Sequence, residues 1–147
     1  MGHKLVAVID TNLFISGLFG QNTTTAQLQE LWIQQQIQLG TSLEIMKEVS
    51  RVLQYPKVKK RLIDDDEAIR RFFRLVFRKA IVARDDYQTD WIVDDPTDNK
   101  FLACALEIKA DYIISGDNHL LAIKHFHRTQ IVDAKTFVSK VKKSKLT

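Results

Sequence analysis

The sequence predicts an α/β fold in which a parallel sheet is covered by helices on both faces. Apolar runs of strand length alternate along the chain with amphipathic segments of helical periodicity. The first run, residues 4–9 (KLVAVI), is apolar at nearly every position, which is typical of a strand that is buried on both sides. Strands that alternate with helices form parallel sheets. The binding sites of such sheets lie beyond the carboxyl ends of the strands.

Short apolar runs predict five strands, and longer amphipathic segments predict the helices. The strands are residues 4–9, 38–41, 81–83, 112–115 and 130–132. The helices are residues 23–36, 42–54, 65–79 and 134–142, together with one that starts at Asp95-Pro96 and a short one from Asn118. Asp95 is the predicted N-cap of its helix, with a proline at the first helical position. Pro56 is predicted to close the helix over residues 42–54.

Length and composition fit one domain. The chain has 147 residues, of which 45% are hydrophobic and 27% are charged, as in an ordinary globular domain. We expect a single domain over residues 1–147, with a core over about 4–133 and a basic C-terminal helix and tail over 134–147. One cysteine, Cys104, excludes an internal disulfide, and no His/Cys cluster suggests a zinc finger. The first apolar run is too short for a signal peptide or a membrane span, which favours a cytoplasmic protein.

Basic residues are concentrated in two stretches of a chain with a net charge of +4. Nine of them lie within residues 57–79 against four acids, and five lysines follow from Lys135 onward with no acid. Contact with a phosphate backbone requires such stretches, although ordinary solvated surfaces share the pattern. The predicted contacts to a substrate backbone are Arg70, Arg74 and Lys100.

Carboxylates at strand ends are the candidate chemical groups. Asp10 directly follows the first strand and Asp117 follows the strand over 112–115, although N-capping alone would account for each of them. Asp98 shares a helix face with Phe101 and Leu102, so it is predicted to point inward. An inward carboxylate needs a compensating positive charge. Since no basic residue shares that face of the first two turns, the pattern indicates a metal ion.

The helix over residues 42–54 offers two acids. Thr41 and Glu44 fit a capping box, which would account for Glu44. Glu48 lies closer to the apolar stripe and is the predicted ligand, with a solvated position or a pair with Arg51 as the alternative. Four carboxylates from separate segments suit one or two Mg²⁺ or Mn²⁺ ions. Such ions activate water and stabilise the leaving oxygen of a phosphodiester.

The order and spacing of these motifs resemble the PIN domain family. The motifs are VIDTN at residues 8–12, Glu48-Val49 within its helix, DDPTDNK at residues 94–100 and ISGD at residues 114–117. Within the family the chain is similar to the toxin components of toxin–antitoxin systems related to VapC. The resemblance implies a three-layer α/β/α fold with a five-stranded parallel sheet. It also implies a Mg²⁺- or Mn²⁺-dependent endoribonuclease whose products carry a 5′-phosphate and a 3′-hydroxyl.

The resemblance also implies residue roles and partners. The catalytic metal ligands would be Asp10, Glu48, Asp98 and Asp117. Asn12 and Ser115 would orient the ligands or a water molecule. RNA is the implied substrate, and neutralisation by an antitoxin protein and homodimerisation are implied as family traits. No membrane association is expected.

Two alternatives stay open at this point. A receiver-type phosphoacceptor domain has a similar size and alternation, but it requires a pair of acids after the first strand, where this chain has Asp10-Thr11-Asn12. A non-catalytic RNA-binding or protein-interaction module would keep the fold without the activity. Nucleotide-binding glycine motifs are absent from the sequence. His119 is close enough to Asp117 in sequence to approach the site, but it is interpreted as a surface histidine.

Overall fold

The computed structural model describes residues 4–19, 23–61, 66–87 and 96–145. The strands are β1 (Val6–Ile9), β2 (Gln38–Ser42), β3 (Ile81–Ala83), β4 (Tyr112–Ile114), β5 (His125–Phe126) and β6 (Thr129–Val132). The α-helices are α1 (Thr11–Phe19), α2 (Thr23–Ile33), α3 (Leu43–Leu53), α4 (Pro56–Arg61), α5 (Asp66–Lys79), α6 (Asn99–Ile108), α7 (Asn118–Leu121) and α8 (Ala134–Lys145). A 3-10 turn (Pro96–Asp98) directly precedes α6.

The strands form one sheet in the order β3-β2-β1-β4-β6-β5. The first five in this order pair in parallel, with Val8 of β1 opposite Gly40 of β2 and Ile113 of β4. The predicted α/β class is therefore confirmed. The sheet also has a sixth strand, β5, which pairs antiparallel with β6. Two residues are too few to show an alternating pattern, so the sequence gives no sign of β5.

Helices cover the sheet on both faces. All four residues of β1 are buried, and because successive side chains of a strand point to opposite faces, neither face of β1 is open to solvent. A Cβ atom at Gly40 would lie 2.3 Å from Cδ1 of Ile108, so the glycine lets α6 approach β2 closely. Phe14 of α1 contacts Phe72 of α5 and Trp32 of α2 edge to face, at centroid distances of 5.3 and 6.1 Å. These rings join three helices in the core.

The start of α3 differs from the prediction. The N-cap is Ser42, whose Oγ accepts a hydrogen bond from the backbone N–H of Ile45 at 3.1 Å. The predicted capping box of Thr41 and Glu44 is wrong because β2 continues one residue further than expected. Thr41 is consequently buried in the sheet, and Glu44 is exposed in the first turn.

Two other helix starts also differ. Pro56 begins α4, since proline suits the first helical position as well as it ends a preceding helix. The helix predicted to start at Asp95-Pro96 instead begins with the 3-10 turn (Pro96–Asp98). The α-helix α6 follows this turn, with Asp98 at its N-cap position. The predicted cap Asp95 and the predicted start of α5 at Asp65 lie outside the described residues.

The C-terminal helix α8 belongs to the core. Phe137, Val138 and Val141 are buried, and Phe137 packs edge to face on Tyr112 of β4 with a centroid distance of 5.2 Å. The buried core therefore extends past residue 133. Over the described ranges, no helix has the length and apolar character needed to cross a membrane.

Candidate active site

Asp10 lies at the carboxyl end of β1, where its backbone and side chain are both bound to neighbouring segments. Its N–H donates to the carbonyl of Ile114 on β4 at 3.0 Å. Its Oδ1 accepts the N–H of Leu13 at 2.9 Å, which caps α1. Its Oδ2 accepts the Ser115 hydroxyl and the Gly116 N–H, the latter at 3.2 Å. Asp10 is only 5% exposed, so its carboxylate is fixed between β1 and the end of β4.

Burial raises the pKa of Asp10 above its usual range, because the charged form loses its hydration. Hydrogen bonds from Ser115, Leu13 and Gly116 act in the opposite direction, and the nearby charge of Asp117 raises the pKa further. Ionised Asp10 would therefore be stabilised by any cation that approaches it.

Asp117 is held next to Asp10 through Ser115. The buried Ser115 hydroxyl donates to Asp10 and accepts the N–H of Asp117 at 2.9 Å. Asp117 also caps α7, since its Oδ1 accepts the N–H of His119 at 2.7 Å. Ser115 thus has the position predicted for a residue that orients the acids. Its role in chemistry stays a prediction.

Glu48 extends from α3 toward the same end of the sheet. Its Oε1 accepts the Thr11 hydroxyl, and its Oε2 lies 2.7 Å from the Lys100 ammonium. The Arg51 guanidinium is 3.7 Å from the same Oε2. Of the two acids considered on α3, Glu48 is the one that reaches the site, whereas the exposed Glu44 binds the Asp85 carboxylate through its backbone N–H at 3.1 Å.

Lys100 does not have the position predicted for it. A contact to a substrate backbone requires a solvent-facing cation, but the Lys100 side chain is only 7% exposed and pairs with Glu48. Its ammonium also donates to the carbonyl of Thr97. The side chain bends back over the 3-10 turn and reaches α3. The pair between Lys100 and Glu48 joins two helices, so the pattern of residues along one helix could not predict it.

Asp98 ends the 3-10 turn and is half-buried. Its side chain makes no capping hydrogen bond to α6. Ligand-capable atoms of Asp98, Asp117 and His119 all lie within 4.8 Å of one another. This grouping is compact enough to hold a metal ion after small side-chain movements.

One cavity of about 250 Å³ brings the predicted acids together, and we refer to it as the acidic cavity. It is lined by Asp10, Thr11, Asn12, Glu48, Arg51, Val52, Tyr55, Asp98, Phe101 and Asp117. A second space of about 530 Å³, the adjoining groove, shares three of these residues and extends over α7. It is lined by Asp10, Asn12, Leu13, Gly116, Asp117, Asn118 and His119. All four predicted carboxylates thus meet in one place, and their catalytic and metal-binding roles stay predictions.

Arg70 and Arg74 are not among the residues that line either space. They lie exposed on α5 and form ion pairs with Glu67 at 3.1 and 3.0 Å. Hydrogen bonds from Arg74 and Arg70 lower the pKa of Glu67. Their predicted contact with a substrate backbone stays a prediction. Asn12, the other predicted orienting residue, is exposed and lines both spaces.

The structure adds three residues to the site. Thr11 binds Glu48, Arg51 lines the acidic cavity, and His119 lines the adjoining groove. Thr11 and His119 lie one and two residues after predicted acids, so proximity in sequence was a usable signal for both. The sequence indicates Arg51 only as a partner of Glu48 on the same helix.

The fold and the site define an α/β protein whose acidic cavity lies at the carboxyl ends of two adjacent parallel strands. Residues 6–119 match the family model described as the PIN domain. The chain is also 31% identical over 121 residues to "Uncharacterized protein MJ1680" from Methanocaldococcus jannaschii, an alignment that covers 82% of this chain and 76% of that protein. The chain belongs to the PIN domain family.

Membership in the PIN domain family restricts the class of activity. PIN domains are generally nucleases, they typically bind divalent metal ions, and PIN nucleases act on RNA. The receiver-type phosphoacceptor interpretation is therefore wrong. The acids that its motif requires after the first strand are also missing, since Thr11 and Asn12 occupy those positions.

Proposed function

We propose that this protein is a metal-dependent endoribonuclease and the toxin of a toxin–antitoxin pair. The acidic cavity is the observation that supports the proposal most directly. Carboxylates from four separate segments, Asp10, Glu48, Asp98 and Asp117, line one space of about 250 Å³. Carboxylates this close repel one another unless positive charge is present.

The charges of the chain itself do not balance the cavity. Among the described residues that line it or bind its acids, the cationic side chains are Arg51 and Lys100. If all four carboxylates are charged, the two cations leave a net charge of minus two, which one divalent cation would balance. Since the Arg51 side chain is 66% exposed, its compensation is weak. The donor set therefore fits a divalent cation.

Oxygen ligands of this kind suit Mg²⁺ or Mn²⁺, and the four carboxylates would hold the ion. When bound, such an ion supplies Lewis-acid activation of water and neutralises charge on a phosphodiester. Ser115 and the Gly116 N–H hold Asp10 in place, while Thr11 and Lys100 fix both oxygens of Glu48. Exposed Arg51, at the cavity wall, is placed to meet a backbone phosphate of RNA.

The finer parts of the proposal follow the resemblance to VapC-type toxins. The protein would act in the cytoplasm on an RNA substrate. An antitoxin protein would neutralise it, and it would form a homodimer. The products would carry a 5′-phosphate and a 3′-hydroxyl.

The test is cleavage of a labelled structured RNA by purified protein with Mn²⁺ or Mg²⁺. We expect cleavage by the wild type and by Asp66→Asn, a matched change of an exposed acid on α5. Asp98→Asn should lower the rate about a hundredfold or more, because it removes a charge from the site of reaction. Excess chelator should stop the wild type.

Two outcomes would contradict the proposal. Cleavage at the wild-type rate in Asp98→Asn, or in the wild type with excess chelator, would show that the acidic cavity is not the source of the activity. RNA binding with no cleavage at any metal concentration would favour the non-catalytic RNA-binding module.

A further inference from the structure

His119 lies where the acidic cavity and the adjoining groove meet. Asp117 lines both spaces, Asp98 lines the cavity, and His119 lines the groove. The ligand-capable atoms of these three residues are within 4.8 Å of one another, and Nδ1 of His119 is 3.9 Å from Oδ1 of Asp117. Two atoms that share one first-row metal ion lie about 3–4 Å apart, since each bond is about 2.1 Å long. A small rotation of the exposed imidazole would complete that geometry.

The backbone keeps the imidazole near the acids. Oδ1 of Asp117 accepts the N–H of His119 at 2.7 Å, so the two residues are fixed relative to each other in the first turn of α7. The His119 side chain is 54% exposed. Its ring can therefore turn without displacing core residues. Asp98 approaches from a different element, the 3-10 turn before α6.

The chemistry of the three donors differs from that of an all-carboxylate site. Mg²⁺ prefers oxygen ligands and keeps much of its hydration, so an imidazole nitrogen adds little to its binding. Imidazole suits the later first-row transition metals such as Fe²⁺, Ni²⁺ and Zn²⁺ best, and Mn²⁺, which shares the oxygen preference of Mg²⁺, gains the least from it. A nitrogen ligand would thus raise the affinity for a transition metal without raising the affinity for Mg²⁺.

We propose that His119 is a nitrogen ligand of the cation site, together with Asp98 and Asp117, and that it makes the site favour a first-row transition metal over Mg²⁺. This inference rests on the proposed function, because it refines the same cation site. It changes the predicted ligand set by adding a residue that the sequence presented as a surface histidine.

Pulsed electron paramagnetic resonance of the Mn²⁺-loaded protein tests the inference without an activity assay. Directly coordinated imidazole gives a ¹⁴N modulation in the Mn²⁺ signal. We expect this modulation in the wild type and in His125→Gln, a matched change of an exposed histidine on β5. We expect no modulation in His119→Gln. Calorimetric titration should show Ni²⁺ affinity falling about tenfold in His119→Gln, with Mg²⁺ affinity changed less than twofold.

The outcomes separate the inference from the proposed function. Mn²⁺ that binds the wild type without ¹⁴N modulation would overturn the inference and leave the nuclease proposal standing. Modulation that persists in His119→Gln would assign the nitrogen to another residue and also overturn it. A wild type that binds no Mn²⁺ at all would overturn both.

Discussion

Among the ion pairs of the described residues, the pair between Lys100 and Glu48 is the most buried. Nζ of Lys100 lies 2.7 Å from Oε2 of Glu48, and the side chains of Lys100 and Glu48 are only 7% and 19% exposed. Both charges have lost most of their hydration, so each depends on the other. The exposed pair between Arg70 and Glu67 has a similar distance but keeps its water, and such pairs contribute little to stability.

Loss of one member of the buried pair should be costly. In chelator, we expect Lys100→Met to lower the free energy of unfolding by about 3 kcal/mol, because Glu48 is left as an uncompensated charge. Adding Glu48→Gln should recover much of this loss. Urea denaturation measures both values, with exposed Lys47→Met on α3 as the control. Equal costs for Lys100→Met and Lys47→Met would refute the dependence of Glu48 on Lys100.

Asp10 and Asp117 combine capping with a place at the cavity. In each residue Oδ1 accepts a backbone N–H of the following helix, while the same carboxylate lines the acidic cavity. A sequence pattern that predicts an N-cap therefore does not exclude a functional role, since an aspartate has two oxygens. The location of Asp10 and Asp117 at the site could be predicted, because each follows the end of a predicted strand. The contact of Glu48 with Lys100 could not, because it joins residues of different helices through a long side chain.

At the scale of elements, α8 is held by a cap at its first turn. Oδ1 of Asp133 accepts the N–H of Thr136 at 2.7 Å. Hydrogen bonds from the side chain and backbone of Thr136 lower the pKa of Asp133 below its ordinary value of 3.8. The folded state thus favours the ionised form. The stability from this cap is fully present above pH 3.8 and is lost as the pH falls through the lowered pKa.

Asp133→Ala should therefore show a cost that depends on pH. At neutral pH we expect the free energy of unfolding to fall by about 1 kcal/mol, the usual value of an N-cap. The difference from the wild type should shrink as the pH falls below 3.8. Urea denaturation across that range measures it, with exposed Asp86→Ala as the control. A cost that is constant with pH would mean that the carboxylate charge does not act in the cap.

Elements with a clear period were predictable, whereas the nine-residue helix α1, the six-residue helix α4 and the two-residue strand β5 were not predicted. The apolar stripe of α5 predicts a helix from the sequence alone, and the apolar run of β1 predicts a buried strand. β5 has only two residues, and its pairing depends on a hairpin in which Lys124 and His127 have φ of 68° and 54°. Few non-glycine residues adopt such values, so neither the turn nor the strand shows in a propensity pattern.

At the scale of the molecule, the proposed cation would join four segments that are distant in the chain. The carboxylates come from the ends of β1 and β4, from α3 and from the 3-10 turn. An ion that binds only when these segments are assembled stabilises the native state by mass action.

Mn²⁺ should therefore raise the unfolding temperature, and chelator should reverse the change. At a free concentration of about 100 times the dissociation constant, the expected gain is about 2.7 kcal/mol. Scanning calorimetry measures it, and Asp98→Asn should lose most of the gain while Asp66→Asn keeps it. An equal shift in both variants would place the ion elsewhere on the protein.

The order of the strands produces a crevice at the carboxyl end of β1, and this crevice would persist if the side chains in it were replaced. From β1 the chain continues to β2 on one side, and β4 lies on the other, so the connections diverge above β1 and open a crevice by topology alone. The crevice therefore does not depend on which side chains line it. A descendant that replaced every acid there would lose the chemistry and still keep a recess able to receive a different ligand.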